Sequence, residues 1–362
     1  MIILLIPVAM ITLLLIALLA FSPGKPKPFL DENGRILPGS ISEKVFVEIN
    51  GVRQGMFIRG KKADAPVLLF LHGGTGMPEY FLTRKYPTGL DEDFVVCWWE
   101  RRGCGLSFDP KASPDLISID QLVADTLKVT DYLRARFHKD KILLLGHSGG
   151  SFFGIQAAAR APESYLAYVG VSQMSHQLRS ELLFYDYALD EFKRRAERGM
   201  VRDFEAAKPA PRAPLPPAYM KIRDKAMHRL GVGTTREMRN VITGVFLPSW
   251  LCPDYTLGEK MNIWRGKFRS DKILWDQMIA LDLVQRVPEL KVPAYFLHGK
   301  FDRTVSYDLA KEYLARLRAP LKGFYTLDRS AHSPMFEEPE AVRAILKNDV
   351  LAGTNRLADR ND

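Results

Sequence analysis

The sequence has few cysteines and no motif for a metal site. Its 362 residues include three cysteines, Cys97, Cys104 and Cys252, and none of them belongs to a CxxC pair. This spacing argues against a zinc site and a disulfide framework, and it fits a reducing compartment. The composition also lacks the bias of disordered or collagen-like chains. With 47% hydrophobic residues, the chain can form one large domain or a domain with a sizeable insertion.

Acidic residues are fewer than basic ones, so the formal net charge is +9. This balance suits a soluble basic surface, or a surface that faces anionic lipid headgroups. No nucleic-acid-binding motif accompanies the charge. Nucleic acid is therefore not a predicted partner.

One long apolar run stands near the N-terminus, where residues 2–21 are apolar except for a single threonine. About 20 helical residues span ~30 Å, the thickness of a hydrocarbon core. A cleaved signal peptide would have basic residues before the run and small residues at its end, and Leu18 disrupts that end. We therefore expect an uncleaved membrane anchor. Lys25 and Lys27 follow it, so the positive-inside rule predicts a cytoplasmic main domain.

Short apolar runs alternate with helical patterns, which predicts an α/β fold with a mostly parallel sheet. Alternation at Val45, Val47 and Ile49, followed by Asn50-Gly51, predicts an antiparallel hairpin first. The later strands are continuous apolar runs, typical of a sheet buried on both faces. These strands are expected at 67–74, 94–99, 141–146, 165–172, 292–299 and 322–328, and the core helices at 118–137, 149–161, 306–318 and 339–351.

A helical segment over residues 174–287 interrupts the alternation and contains the proline-rich run 208–217. An insertion between two core strands predicts a lid over the carboxyl edge of the sheet, where ligands bind in open α/β folds. The predicted organisation is an anchor or uncleaved signal at 1–21, a linker at 22–43, an α/β core at 44–173 and 288–352, a helical cap at 174–287 and a polar tail at 353–362.

The stretch GHSGG, residues 146–150, lies between a predicted strand and a predicted helix. In that context G-x-S-x-G forms a sharp turn that presents the serine as a nucleophile. Gly146 and Gly150 relieve crowding in this elbow, which also includes His147. Ser148 would then stand exposed at the helix N-terminus, whose dipole stabilises negative charge. We predict that Ser148 is the nucleophile; the alternative is a serine in an ordinary glycine-rich turn.

A serine hydroxyl needs a base that is itself held by a third group. After such an elbow, the acid and then the histidine follow the serine in sequence. Asp302 follows a predicted strand in HGKFDRTV, and His332 follows the next one in DRSAHSPMF. Asp308 and Asp328 are weaker candidates, because the first lies in a helical pattern and the second at a strand end. We therefore predict a Ser148–Asp302–His332 triad.

Acyl transfer also requires N–H donors for an oxyanion. The first predicted donor is the backbone N–H of Gly149, directly after the nucleophile. The second is expected in HGGTG, residues 72–76, where glycine lets the backbone approach a substrate. Gly74 is the predicted donor there, and Thr75 is the alternative.

Several neighbouring residues have structural interpretations. The ring of His147 should turn away from the elbow and pack, and His298 should be structural. Cys104 is expected to fill a tight loop rather than to react. Of Arg101 and Arg102, one is expected to anchor its loop by hydrogen bonding.

These residues make the chain resemble the α/β-hydrolase superfamily, and within it the proline iminopeptidase-type branch. The likeness rests on LFLHGGTGMP, WWERRGCGLS, GHSGG, HGKFDRTV and AHSPMFEEP in this order, and it spans residues 44–351. It implies an eight-stranded, mostly parallel sheet with an antiparallel N-terminal hairpin and a helical cap inserted after strand 6. It also implies Ser-Asp-His chemistry, for which no metal or organic cofactor is needed.

The chain departs from the motifs of those peptidases, which usually read HGGPG, DQRGxGxS and GGSWG. It has Thr75 for the proline, Glu100-Arg101 for Asp-Gln, and His147 and Gly149 beside the serine. GHSGG is similar to the motif of general esterases and lipases. The peptidases bind a free amine with acidic cap residues; the acids of this cap include Glu181, Asp186, Glu191 and Glu205, and no motif assigns them that role.

The sequence therefore predicts a serine hydrolase that cleaves carboxylic esters or small amides. One alternative is a proline iminopeptidase-like aminopeptidase, and another is a non-catalytic binding protein with the same fold. The expected partners are a small ester, amide or short peptide, and the membrane through residues 2–21. The anchor and the basic cap favour hydrophobic substrates.

Overall fold

The chain forms one eight-stranded sheet in a computed structural model that describes Ile16 and residues 18–360. The strands lie side by side in the order β1-β2-β4-β3-β5-β6-β7-β8. Their bounds are β1 Ile41–Ile49, β2 Val52–Gly60, β3 Val67–Leu71, β4 Val95–Glu100, β5 Ile142–His147, β6 Tyr165–Val171, β7 Ala294–Gly299 and β8 Lys322–Leu327.

The sheet is antiparallel at one edge and parallel elsewhere. β2 pairs antiparallel with both β1 and β4, and the remaining neighbours run parallel. Asn50 and Gly51 join β1 to β2 with φ values of 47° and 74°, as a two-residue hairpin turn requires. The predicted sheet and its N-terminal hairpin are thus confirmed.

Helices connect the parallel strands and fill the segment after β6. Their bounds are α1 Leu90–Asp93, α2 Ile119–Arg136, α3 Gly149–Arg160, α4 Gln177–Arg194, α5 Arg198–Glu205, α6 Pro217–Leu230, α7 Leu247–Leu251, α8 Leu257–Ala280, α9 Leu283–Arg286, α10 Tyr307–Arg316, α11 Pro334–Glu337 and α12 Pro339–Ile345. Short 3-10 turns lie at Tyr80–Arg84, Gly105–Ser107, Pro114–Leu116 and Pro162–Ser164, and π-helical turns at Ile242–Phe246 and Leu346–Val350.

The parallel strands are buried on both faces. Along β3, Leu69 and Leu71 belong to the core on one face, whereas Leu68 and Phe70 belong to the core on the other. This alternation explains why these strands are continuous apolar runs in the sequence. Helices on both faces exclude water, so the carboxyl ends of the strands form a rigid edge for the loops that follow them.

A helical cap is inserted after β6, as the sequence predicts. Its helices α4, α5 and α6 have a core of their own, in which Phe184, Phe192, Phe204 and Tyr219 are buried. Helix α8 instead packs on the sheet side, because Gly266 allows its backbone close to the carbonyl oxygen of Gly103. The cap therefore contacts the loops at the carboxyl edge directly. The exact division into linker, core, cap and tail remains a prediction.

The predicted localisation is wrong. Over Ile16 and residues 18–360, no helix is long and apolar enough to cross a membrane. The single-pass anchor, the membrane partner and the orientation inferred from them are corrected accordingly. Most of the predicted anchor, residues 2–21, lies outside the described residues.

Candidate active site

Ser148 occupies the sharp turn between β5 and α3. Its φ of 51° and ψ of −120° are unusual for a residue with a side chain, and they reverse the chain within one residue. A side chain on Gly146 would lie 2.7 Å from the carbonyl oxygen of Gly150, and one on Gly150 would collide with the carbonyl of Leu71. The glycines on both sides thus allow the turn. Ser148 is only 9% exposed, contrary to the prediction of an exposed serine.

Asp302 and His332 lie together, on loops after β7 and β8. Asp302 Oδ2 is 2.8 Å from Nδ1 of His332. The other carboxylate oxygen, Oδ1, accepts the backbone N–H groups of Thr304 at 2.9 Å and Val305 at 3.0 Å. His298 contributes Nε2, 3.1 Å from Oδ2. Four donors therefore fix the carboxylate and orient the His332 ring.

Both groups favour the deprotonated form, which is charged for Asp302 and neutral for His332. Burial alone would raise the pKa of Asp302, but the contacts with His332 and His298 outweigh it and hold the pKa well below its usual range. Burial lowers the pKa of His332, although Asp302 opposes this effect. The site at neutral pH thus contains an ionised Asp302 beside a neutral His332. A neutral imidazole is the form that can accept a proton.

The backbones of Gly74 and Gly149 are close neighbours. Gly149 is the first residue of α3, and a side chain there would collide with the carbonyl of Gly74 and lie 3.0 Å from its nitrogen. Gly74 has a φ of 58°, which glycine adopts without strain. Both predicted oxyanion donors therefore lie beside Ser148.

Arg101 holds the loop that contains Gly74. Its guanidinium is fully buried and donates to the carbonyl oxygens of His72 and Gly74, the latter at 3.0 Å. Burial lowers the pKa of Arg101 to about 10, so it remains charged at neutral pH. The carbonyl oxygens of this loop point towards the guanidinium. Because the peptide groups are thereby fixed, the directions of the loop N–H groups are constrained as well. Arg102 instead forms an ion pair with Asp125 at 2.7 Å.

The cap contacts the same loop through Thr75. Its hydroxyl donates to Asp271 of α8, which also pairs with Lys267 at 2.6 Å. A side chain on Gly76 would lie 2.6 Å from Ser270 of the same helix. Thr75, the residue that replaces the usual proline, is therefore tied to the cap by its hydroxyl.

A cavity of about 180 Å³ lies above Ser148 and His332. Gly73, Gly74 and Thr304 also line it, together with residues of the cap. The apolar part of its wall comprises Met77, Leu82, Met227, Val241, Val245 and Trp264. A cavity of this size and lining suits a small apolar group next to a reactive carbonyl.

The acidic groups of this cavity are few. Glu79 and Asp224 line it, and each has a basic partner, His147 at 2.7 Å and Arg223 at 2.7 Å. Glu181 is buried in an ion pair with Arg223 and lies away from the cavity. The other three cap acids named from the sequence, Asp186, Glu191 and Glu205, are also absent from the cavity wall.

The remaining candidates take structural positions. Asp308 and Asp328 are exposed, and Asp328 pairs with Lys300 at 2.8 Å. Cys104 is buried, and burial raises the pKa of its thiol to about 11. Its thiol is thus protonated at neutral pH, as expected for a loop-filling residue. In the described part of the chain, no group of three or more His, Cys, Asp or Glu residues could hold a metal ion.

Sequence reasoning misses three residues around the site. It predicts only packing for His147, but the ring hydrogen-bonds to Glu79 and to the backbone of His332. Glu79 and Asp271 belong to no motif, and their partners lie 68 and 196 positions away in the sequence. In the sequence, Thr75 and His147 both depart from the peptidase motifs. These departures are the sequence features that indicate different hydrogen-bond partners at the two positions.

Comparison with known proteins identifies the family and supports the fold. Residues 66–339 match the family model described as alpha/beta hydrolase fold. The chain is 30% identical, over 81% of its length and 91% of the relative's, to the probable aminopeptidase YbaC of Bacillus subtilis. It is 21% identical, over 83% of its length and 96% of the relative's, to a proline iminopeptidase of Heyndrickxia coagulans.

A similar solved structure is that of a proline iminopeptidase-related protein from Thermus thermophilus. It superposes with a TM-score of 0.59 at 22% identity, over 86% of this chain and 98% of that one. At this identity the likeness concerns the fold.

Proposed function

Because this chain belongs to the α/β-hydrolase family and is of the proline iminopeptidase type, we propose that it is a serine hydrolase for carboxylic esters or small amides. Ser148 is the nucleophile, His332 the base and Asp302 the residue that orients the base. The observation that carries this proposal is the 2.8 Å contact between Asp302 and His332, whose ring lines the same cavity as Ser148.

In the first step, His332 accepts the hydroxyl proton of Ser148 while the serine oxygen attacks the carbonyl carbon. Asp302 keeps the proton on Nδ1 of His332, which leaves Nε2 free to act as the base. The ionised carboxylate then stabilises the imidazolium. His332 next delivers the proton to the leaving alcohol or amine, and an acyl-enzyme on Ser148 results.

The negative charge of the tetrahedral intermediate needs fixed donors. The N–H groups of Gly149 and Gly74 are the proposed oxyanion hole, with Thr75 as the alternative to Gly74. Their adjacency supports this role, and the N-terminus of α3 adds a favourable dipole. In the second half of the reaction, His332 activates a water molecule that hydrolyses the acyl-enzyme. The proposed chemistry requires no metal or organic cofactor.

The cavity supports a substrate whose acyl part is apolar and short. About 180 Å³ accommodates a few non-hydrogen atoms beyond the scissile group, and Met77, Met227 and Val245 would surround them. A negatively charged acyl group would lose its hydration there without an unpaired cationic partner among the described residues of the cavity wall. Uncharged short-chain esters and amides therefore fit this cavity best.

The second candidate function is an aminopeptidase. It is favoured by the similarity to a relative named as a probable aminopeptidase and to one named as a proline iminopeptidase. An aminopeptidase must accept a positively charged N-terminus near the scissile bond. Asp224 is the cavity acid best placed for that charge, since its side chain is 62% exposed and only one side of it contacts Arg223.

Two substrates distinguish these functions, with Ser148→Ala as the blank. One is a short-chain p-nitrophenyl ester, and the other is proline p-nitroanilide with a free amine. Hydrolysis of the ester without the anilide supports the esterase. Faster hydrolysis of the anilide, lost when its amine is acetylated, supports the aminopeptidase. If Ser148→Ala matches the wild type on both substrates, the proposed mechanism is wrong.

A further inference from the structure

A second acid–histidine pair lies directly behind the first. His147 Nδ1 is 2.7 Å from Oε1 of Glu79, and its Nε2 is 2.8 Å from the backbone carbonyl oxygen of His332. His147 is 2% exposed and Glu79 is 8% exposed. The pair thus connects the loop after β3 to the loop that carries His332.

The hydrogen-bond partners determine where the protons of His147 lie. A carbonyl oxygen only accepts, so Nε2 must carry the proton of its bond to His332. Nδ1 faces a carboxylate oxygen at hydrogen-bond distance, and a second proton on the ring satisfies that contact. Glu79 raises the pKa of His147, which favours this proton on the ring, so we assign the pair as an imidazolium and a carboxylate.

The pair is also close to the reacting groups. The rings of His147 and His332 have centroids 5.0 Å apart. Gly73 lies next to both Glu79 and Ser148. A Cβ atom added at Gly73 would be 3.0 Å from Glu79 Oε1 and 3.3 Å from Cβ of Ser148, so the carboxylate is near the nucleophile. A positive charge on His147 consequently lies near any charge that forms on His332.

We propose that Glu79 and His147 form a positioning pair that holds the His332 backbone and, through the charge of His147, opposes protonation of His332. This inference rests on the proposed function, because it concerns the base of that reaction. The carbonyl of His332 is fixed by two donors, His147 and the hydroxyl of Ser172 at 2.8 Å. Only the first of these donors carries a charge.

The protonation preferences agree with this role. Burial lowers the pKa of His147, but Glu79 and the bond to His332 outweigh it, so the pKa is raised. For His332, burial is the largest influence, and the charge of His147 adds to the lowering of its pKa. The other titratable or charged groups around this cluster are His72, Arg101, His298, Asp302 and Glu337. Glu337 accepts the backbone N–H of Ala331 at 2.9 Å, next to His332, and burial raises its pKa to about 7.

Protein stability alone does not explain why Glu79 is buried. Its Oε2 is shielded from solvent and has no hydrogen-bond partner among the described residues. Desolvation of an ionised pair often exceeds the attraction that the pair gains, so an apolar pair would serve packing at least as well. A role in the reaction accounts for two ionised groups in the cavity wall.

The test measures the rate at which a fluorophosphonate labels Ser148, as a function of pH. This rate depends on the neutral form of His332 and requires no knowledge of the substrate. The variants are Glu79→Gln, which removes the carboxylate that raises the pKa of His147, His147→Gln, which removes the charge but retains an N–H donor, and the double variant. Ser172→Ala is the matched control, because it removes an uncharged hydrogen bond to the same carbonyl.

We expect the acid limb of the labelling rate to move to higher pH, by about one unit, in both single variants. The double variant should shift no further than either single variant, because the two residues act as one unit. In Ser172→Ala, the acid limb should remain at the wild-type pH. Far-UV circular dichroism of each variant checks folding, and if one single variant fails to fold, the other carries the test.

Two failures are distinguishable. If the wild type is labelled at Ser148 but the acid limb stays in place in the Glu79 and His147 variants, the positioning pair is wrong and the proposed function stands. The same conclusion follows if Ser172→Ala shifts the acid limb as far as the Glu79 and His147 variants do, because the charge of His147 is then not the cause of the shift. If wild-type Ser148 is not labelled at any pH, the proposed function itself fails, and this inference fails with it.

Discussion

Arg101 donates from Nη2 to the carbonyl oxygen of Gly74 at 3.0 Å, although the guanidinium is completely buried. Longer contacts of the same nitrogen reach the carbonyls of Gly73 at 3.4 Å and Thr75 at 3.5 Å. A buried cation is usually paired with an acid, but this one is surrounded by the carbonyls of a single loop. The loop conformation next to Ser148 therefore depends on Arg101.

Replacing Arg101 with glutamine should reduce kcat by about tenfold with a smaller change in KM. Glutamine has two N–H donors at most and cannot bridge four carbonyls, so the proposed Gly74 donor would lose its alignment. Arg101→Lys should also be impaired, because a lysine lacks the planar donor fork. Steady-state kinetics on the better of the two diagnostic substrates measures both effects. An Arg101→Gln enzyme with wild-type kcat would show that the arginine does not control the loop.

Asp302→Asn should lower kcat by about 10³- to 10⁴-fold and leave the fold intact. An amide cannot hold the same tautomer of His332 or stabilise the imidazolium. The matched control is Asp308→Asn, since Asp308 is exposed and is an alternative acid by sequence. Kinetics and thermal unfolding of both variants provide the measurement. Equal losses in the two variants would contradict the assignment of Asp302.

Asp271→Asn should reduce kcat by a few fold, because it weakens the contact between the cap and Thr75. Asparagine also loses the charge that pairs with Lys267. Thr75→Val, which removes the hydroxyl from the other side, should have a similar effect, and the two changes combined should not add. Asp276→Asn, an exposed position on the same helix, is the control. Additive effects of Thr75→Val and Asp271→Asn would exclude a direct link between them.

Glu100 should make stability depend on pH in a distinctive way. Burial raises its pKa to about 8, while Tyr255 and the N–H of Leu106 contact its oxygens. Between the usual carboxyl pKa and pH 8, the folded state retains a proton that the unfolded state has lost. Stability therefore falls as pH rises through this window, by up to about 1.4 kcal/mol per pH unit.

Glu100→Gln removes this titration and preserves the shape; its carbonyl oxygen can accept the N–H of Leu106, and its NH2 group can donate to the Tyr255 oxygen. Its free energy of unfolding, measured by urea denaturation from pH 5 to pH 8, should fall less steeply than that of the wild type. Glu340→Gln changes an exposed glutamate and should follow the wild-type slope. Parallel curves for Glu100→Gln and the wild type would mean that Glu100 is ionised in the folded protein.

Most of the fold can be predicted from the sequence, because each core strand must be buried on both faces. The run at 67–71 and the run at 142–145 are apolar throughout for this reason, and the Asn50-Gly51 turn favours a hairpin. The anchor prediction used the same kind of pattern, a long apolar run, and it is not supported. An apolar run is compatible with several environments, so length alone does not decide between them.

The candidate site is only partly predictable. Ser148, Asp302 and His332 follow strands of a parallel sheet, so sequence order alone brings them to one edge. The pairs Glu79–His147 and Thr75–Asp271 arise from tertiary contacts between segments that have no sequence relationship. Cap side chains such as Val245 and Trp264 reach the cavity through helix packing, which periodicity does not determine.

The most direct test of the central claim is to locate the covalent adduct formed with a fluorophosphonate. The wild-type protein is labelled at neutral pH, digested and mapped by mass spectrometry, with Ser148→Ala treated in parallel. The proposed mechanism predicts one adduct per chain, on Ser148, and none in the variant. An adduct on another residue, or unmodified wild-type protein under conditions that label a known serine hydrolase, would contradict it.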